Sequence, residues 1–181
     1  FGLTEEEVRR RFPAVWQHVA LYVKPEREQN NRTTYRENWW IFGEPRTELR
    51  RSLTGQSRYI ATVETAKHRV FTFLPAEVAP DNKLIVVASS DPHVLGVMQS
   101  RAHVAWMLAQ GNWLGAGNDP VYVKTQAFDP FPFPAASAAQ RAEIAAIAEE
   151  LDAHRKARIA AHPHLTLTGL YNTLEALRAG T

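Results

Sequence analysis

The apolar residues of this chain repeat with two different periods, and the switch between them divides it. The first fifty residues are spaced for helices. "TEEEVRRRF" sets Thr4 three residues before Glu7, a capping-box pattern, with acids in the first turn and arginines behind them. "PAVWQHVALYVK" places Val15, Val19 and Tyr22 with Val23 at helical intervals, and Pro13 suits a helix start. "PEREQNNRTTYRE" is polar and reads as a solvated loop or helix end. "NWWIF" is an aromatic run ending at Gly43, and "EPRTELRRSL" is a short helix that stops at Gly55.

The period then falls to two. "RYIATVE" and "HRVFTFL" alternate their side chains and are rich in β-branched and aromatic residues, so both read as strands. "KLIVVAS" is a continuous apolar run of strand length, the pattern of a strand buried on both faces. Beyond it the helical period returns. Asp91 is a good N-cap and Pro92 a good first residue. Val94, Val97 with Met98, Arg101, Ala105 and Leu108 define one face of a single helix ending at Gly111. "NWLGAGNDP" is a glycine-rich loop and "VYVKT" a further short strand. "FDPFPFP" is irregular, because its prolines exclude a helix or a central strand.

From Ala135 the chain is rich in Ala, Glu and Arg. Ile144, Ile147, Leu151 and Ile159 make a narrow stripe along one long amphipathic helix, and a last helix follows a Thr cap in "PHLTLTGLYNTLEALRAG". The expected class is therefore α+β. A helical spacer covers residues 1–55, a small mixed sheet with packed helices 56–134, and a helical C-terminal segment 135–181.

Composition adds bounds. With 181 residues and 45% hydrophobic content the chain can bury a core of ordinary size. It has no Cys, which excludes disulfides and thiolate metal sites. No apolar run approaches the roughly 20 residues of a membrane span. A chain opening at Phe1 without Met reads as a piece excised from something longer. Net charge is only +2, but residues 52–74 hold three Lys/Arg against one acid. That local excess fits nucleic acid, and equally the solvated face of a sheet.

Candidate chemistry is sparse. "DPFP", from Asp129, resembles the Asp/Asn-Pro-Pro-aromatic motif of amino-methylating DNA methyltransferases. Phe131 stands where the second proline belongs, and no strand–Gly-x-Gly–helix unit precedes it, so a catalytic reading fails. The glycines of "GNWLGAGND" follow a helix and precede a strand, the reverse of the dinucleotide order. Pro80-Asp81 lacks the acid-x-Lys of a metal nuclease, and His162 and His164 lack a third ligand. No Gly-x-Ser-x-Gly is present. The expectation is no catalytic residue, no metal site and no cofactor within this chain. "TAKHRVF" puts Lys67, His68 and Arg69 together on a predicted strand, with Lys67 and Arg69 on one face and Arg58 opening the neighbouring strand. Such groups grip phosphates, and they also serve as the polar face of a half-buried sheet.

Taken in order, "NWWIFGEPRTELR", "RYIATVETAKHRVFTFL", "PDNKLIVVASSD", "LGVMQSRAHVAWML", "YVKTQAFDPFPFP" and "LTLTGLYNTLEALR" resemble the C-terminal part of MmeI-like proteins. These are single-chain Type II restriction-modification enzymes, also described as class I S-adenosylmethionine-dependent DNA methyltransferases. The resemblance runs from about Pro13 to Arg178. It implies a target recognition domain for double-stranded DNA, followed by a helical segment, in a bacterial cytoplasmic enzyme. It places an adenine-N6 methyltransferase core and its S-adenosylmethionine upstream on the same polypeptide, with Mg²⁺ where an endonuclease is fused. It also makes "FDPFPFP" the closing run of the recognition domain.

On this resemblance the stretch from Asn112 to Lys124 discriminates bases. Asn118 and Asp119 are the side-chain candidates, since Asn pairs with adenine and Asp accepts from cytosine. Gly115 and Gly117 offer exposed backbone. Arg58, Lys67, His68, Arg69 and Lys124 are the DNA-backbone candidates. The alternative is a protein-interaction or dimerisation module without base contacts, working through the Ala-rich helix.

Overall fold

A computed structural model describes residues 2–110, 112–114 and 119–180. Two compact units divide near residue 51. The first is helical: α1 (Glu5–Arg11), α2 (Pro13–Tyr22), α3 (Lys24–Glu28) and α4 (Thr33–Glu37), with α5 (Thr47–Leu53) beginning at its end. Thr4 caps α1 through the anticipated capping box, and Pro13 opens α2. The polar stretch after α2, expected as a loop or helix end, contains both α3 and α4. Trp39 is the buried centre of this unit, with Trp16 and Trp40 packed edge-on against it at 6.2 and 6.1 Å.

The second unit carries the sheet and confirms the α+β class. Its strands are β1 (Arg58–Val63), β2 (Thr72–Pro75) and β3 (Leu84–Val87), in the order β2-β1-β3. Both ladders are antiparallel, in place of the mixed pairing expected. Gly55, with φ +80, turns the chain from α5 into this sheet. The most apolar run is not the central strand. β3 lies at an edge and stays partly exposed, while β1 sits between two partners and buries Tyr59, Ile60, Ala61 and Thr62. Tertiary position, rather than local hydropathy, decides which strand is covered.

Where one helix was expected after Asp91 there are two, α6 (Pro92–Gln99) and α7 (Arg101–Gln110). Asp91 and Pro92 play their expected roles, with Asp91 accepting from the His93 amide at 2.8 Å. Ser100 then turns extended at ψ 153 and breaks the helix. The break resets the buried face. His93, Leu95, Val97 and Met98 point inward from α6, and His103 and Met107 from α7, so Arg101 and Leu108 leave the anticipated face for the surface. A hairpin follows, β4 (Asn112–Leu114) with β5 (Asp119–Val121). The strand expected through Lys124 ends at Val121, and Lys124 instead opens the single turn α8 (Lys124–Ala127).

The proline run has no regular structure, and its aromatic rings close on α7. Phe131 meets His103 at 4.6 Å and Trp106 at 5.9 Å, and Phe133 packs on Phe131 at 5.4 Å. The run then leads to α9 (Ala138–Ala161), capped by Ser137 and Gln140 in a second capping box, and to α10 (Leu167–Ala179), capped by Thr166.

Only part of the Ile/Leu stripe of α9 docks it: Ile144 packs on Gly96 of α6, and Ile144, Leu151 and Ile159 are half-buried. Ala148, Asp152 and Arg155 are buried, whereas Ile147 is 59% exposed. The reason lies across the interface. A Cβ at Gly96 of α6 would stand 2.5 Å from Ile144 Cγ2 and 3.1 Å from the Ile144 carbonyl, so the close crossing leaves room for Ile144 only because residue 96 has no side chain. Asp152 accepts from Thr72 Oγ1 at 2.6 Å and the Phe73 amide at 3.3 Å, and Lys156 donates to the Phe73 carbonyl at 2.7 Å. Arg155 donates to the Phe71 carbonyl and to the Tyr171 hydroxyl. These bonds supply partners to the outer edge of β2. The core between sheet and helices is Ile60, Phe71, Phe73, Leu95, Met98, Met107, Tyr122, Ala127 and Ala148.

Candidate nucleic-acid interface

The basic triplet does not lie on a strand. β1 ends at Val63 and β2 begins at Thr72, so Lys67, His68 and Arg69 occupy the turn between them. Against this turn lies the base of the hairpin. The Tyr122 amide donates to the Glu64 carbonyl at 2.7 Å, and Thr65 bridges to Val121. These bonds continue the sheet irregularly from β1 into β5, and they join the basic turn to the stretch proposed to meet bases.

Arg69 locks that junction. It is only 5% exposed. Its guanidinium donates to Thr62 Oγ1 at 3.2 Å, the Val63 carbonyl, the Glu64 carbonyl at 3.4 Å and the Pro120 carbonyl at 3.0 Å. Burial lowers its pKa to about 10, which still leaves it charged at neutral pH. Nη1 and Nη2 are taken by these oxygens, and the remaining Nε is buried, so the guanidinium is closed to a phosphate. Arg69 holds the turn and the hairpin together.

Beneath it a polar chain runs into the core. Tyr122 OH lies 3.2 Å from His103 Nε2, and His103 Nδ1 lies 2.9 Å from the Met98 carbonyl. A carbonyl can only accept, so Nδ1 donates to Met98, and the Ala127 backbone is a further hydrogen-bond partner of the ring. Burial pushes the His103 pKa down and the Tyr122 pKa up. Both groups therefore stay neutral. Neither was singled out from sequence, since a lone His and Tyr nineteen residues apart carry no recognisable spacing.

Lys67 and His68 point the other way, toward α10. Lys67 Nζ donates to Asn172 Oδ1 at 2.9 Å and pairs with Glu175 at 2.9 Å. His68 Nε2 lies 2.8 Å from the same Asn172 oxygen, and its ring is 5.7 Å from Tyr171. Lys67 holds the Glu175 carboxyl below the usual carboxylate range. Asn172 and Glu175 were also missed. They are three residues apart on one face of a helix, but about a hundred positions separate them from their partners.

The other candidates are dispersed. Arg58 begins β1, five residues before Val63, so roughly 17 Å of strand separates it from the basic turn. It pairs with Glu149 of α9, donates to the Ser90 carbonyl at 3.2 Å, and lies 3.7 Å over the Phe73 ring. Lys124 is exposed and 3.5 Å from Asp129. Asp119 starts β5, half-buried, opposite Leu114. Asn118, Gly115 and Gly117 lie outside the described residues. On the neighbouring strand Trp113 faces Pro120, and Trp113 and Leu114 are both exposed.

Among the described residues, no group of three or more His, Asp or Glu is placed to hold a metal ion, and no helix is long and apolar enough to cross a membrane. No family model, curated protein or solved structure matches this chain.

Proposed function

We propose that residues 52–180 form a DNA target-recognition module. The hairpin β4–β5 enters the major groove, and the Lys67–His68 turn beside it meets the phosphates. The observation that carries this reading is the junction at Arg69. A two-stranded β-ribbon fits the major groove, and here such a ribbon is fastened directly to a basic turn by a buried arginine. Lys67, His68 and Lys124 are the backbone contacts in this reading, and Asn118 and Asp119 the base contacts. Arg69 and Arg58 hold the fold.

Methyl transfer belongs, in this proposal, to an adenine methyltransferase core on the same polypeptide. The sequence offers no strand–Gly-x-Gly–helix unit to cradle S-adenosylmethionine, so no step is routed through this chain.

The test is duplex binding by the protein that carries this chain. Lys67→Ala should weaken binding to all sequences alike and reduce the salt slope by about one. Asn118→Ala with Asp119→Ala should relax the requirement at one base pair. Duplex binding that neither change alters would overturn the assignment.

A protein-interaction module is the second reading. It is favoured by the exposure of Ile147 on α9 and Leu177 on α10. A chain that dimerises and ignores DNA would establish it.

A further inference from the structure

Helix α10 is held in an unusual way. No residue in it is buried, and from Asn172 to Gly180 every residue is exposed. Leu174 and Leu177 face solvent, so this half gains little from apolar burial. In this half Asn172 and Glu175 both reach back to the basic turn, while Tyr171, one residue earlier, accepts from Arg155 of α9 and anchors the start of the helix. The Lys67–Glu175 pair is itself exposed on both sides, the kind of pair worth little in water. Near its start, Leu167 and Thr168 border a shallow groove with Ala66 and His68.

The chemistry of the contact is that of a phosphate site already filled. A carboxylate accepts from the Lys67 ammonium, and an amide oxygen accepts from both Lys67 and His68. Phosphate oxygens make the same bonds with the same donors. We infer that the second half of α10, from Asn172 on, is a displaceable cover over the Lys67–His68 turn, with Glu175 standing where a DNA phosphate binds. The inference rests on the DNA-recognition reading and adds a competitor to it. Duplex must expel Glu175 to reach Lys67, which favours ligands with enough further contacts to complete the exchange.

The experiment is a double-mutant cycle on duplex affinity at low salt, using the whole chain. Glu175→Gln should tighten binding about two- to fivefold where Lys67 is present, and leave it unchanged in a Lys67→Ala background. Amide exchange should show residues 172–179 losing protection when duplex is added, while α9 does not. Equal tightening in both backgrounds means only a general charge effect, and overturns the cover. So does a wild type that binds duplex no more weakly than Glu175→Gln, or an α10 that gains protection. If neither wild type nor Glu175→Gln binds duplex, the DNA reading itself falls, and the cover with it.

Discussion

The guanidinium of Arg69 lies 5.3 Å from the centre of the Tyr122 ring, and both side chains are buried. One residue comes from the turn after β1 and the other from just after the hairpin. Their packing fastens two segments that the chain separates by about fifty residues. A cation enclosed this way serves the fold by drawing the carbonyls of both segments onto one guanidinium.

Replacing Arg69 with Ala should therefore cost stability first. It strips bonds from the Val63, Glu64 and Pro120 carbonyls and opens space over Tyr122. A loss of about 2–4 kcal/mol is expected in urea unfolding. Arg69→Lys should recover only part of it, because a compact ammonium with three donors cannot reach all four acceptors.

His103 makes stability depend on pH with a definite sign. Its folded pKa is pushed below the ordinary 6.5, chiefly by burial. Above 6.5 the imidazole is neutral whether the chain is folded or unfolded, and its contribution is fully present. As pH falls below 6.5 the unfolded chain takes up a proton that the folded chain refuses. Stability should fall by up to about 1.4 kcal/mol per pH unit from this group, until the lowered folded pKa is reached. Urea titrations at pH 7.5 and 5.5 should show the loss, and His103→Gln should reduce it.

Arg58 separates structural from DNA-binding cations. Its pairing with Glu149 and its stacking on Phe73 bind β1 to α9. Arg58→Ala should lower stability by about 1–2 kcal/mol, with Glu149 partly responsible in a double-mutant cycle. Duplex affinity and its salt slope should not move. A salt slope reduced by one would return Arg58 to the phosphate contacts.

Gly96 tests the crossing of α6 and α9. An added methyl meets Ile144 Cγ2 at 2.5 Å, backbone at 3.1 Å and Ala148 Cβ at 3.3 Å. Gly96→Ala should destabilise by about 1–3 kcal/mol despite the better helix propensity of alanine. Shortening Ile144 to Ala in the same chain should recover part of the loss, since the flexible half of the clash is removed. A Gly96→Ala chain as stable as wild type would show that the helices slide apart freely.

Local chemistry was legible in the sequence because it is local. The capping box at Thr4, the N-caps Asp91 and Thr166, and the stop at Gly55 depend on residues a few positions apart. So did the α+β class, since the change of period from helix to strand is written along the chain. Long-range pairing was not. Whether "KLIVVAS" is central or at an edge depends on what pairs with it, and the break at Ser100 moved Arg101 and Leu108 to the surface from positions that looked buried.

The basic triplet shows the same division. Sequence determined that Lys67, His68 and Arg69 are adjacent and cationic or titratable. Only the tertiary structure decided that Arg69 turns inward to the carbonyls of a distant hairpin, while Lys67 and His68 turn outward to Asn172 and Glu175. Charge is a property of the residue. Its partner is a property of the fold, because the nearest carbonyl or carboxylate in space can lie anywhere along the chain.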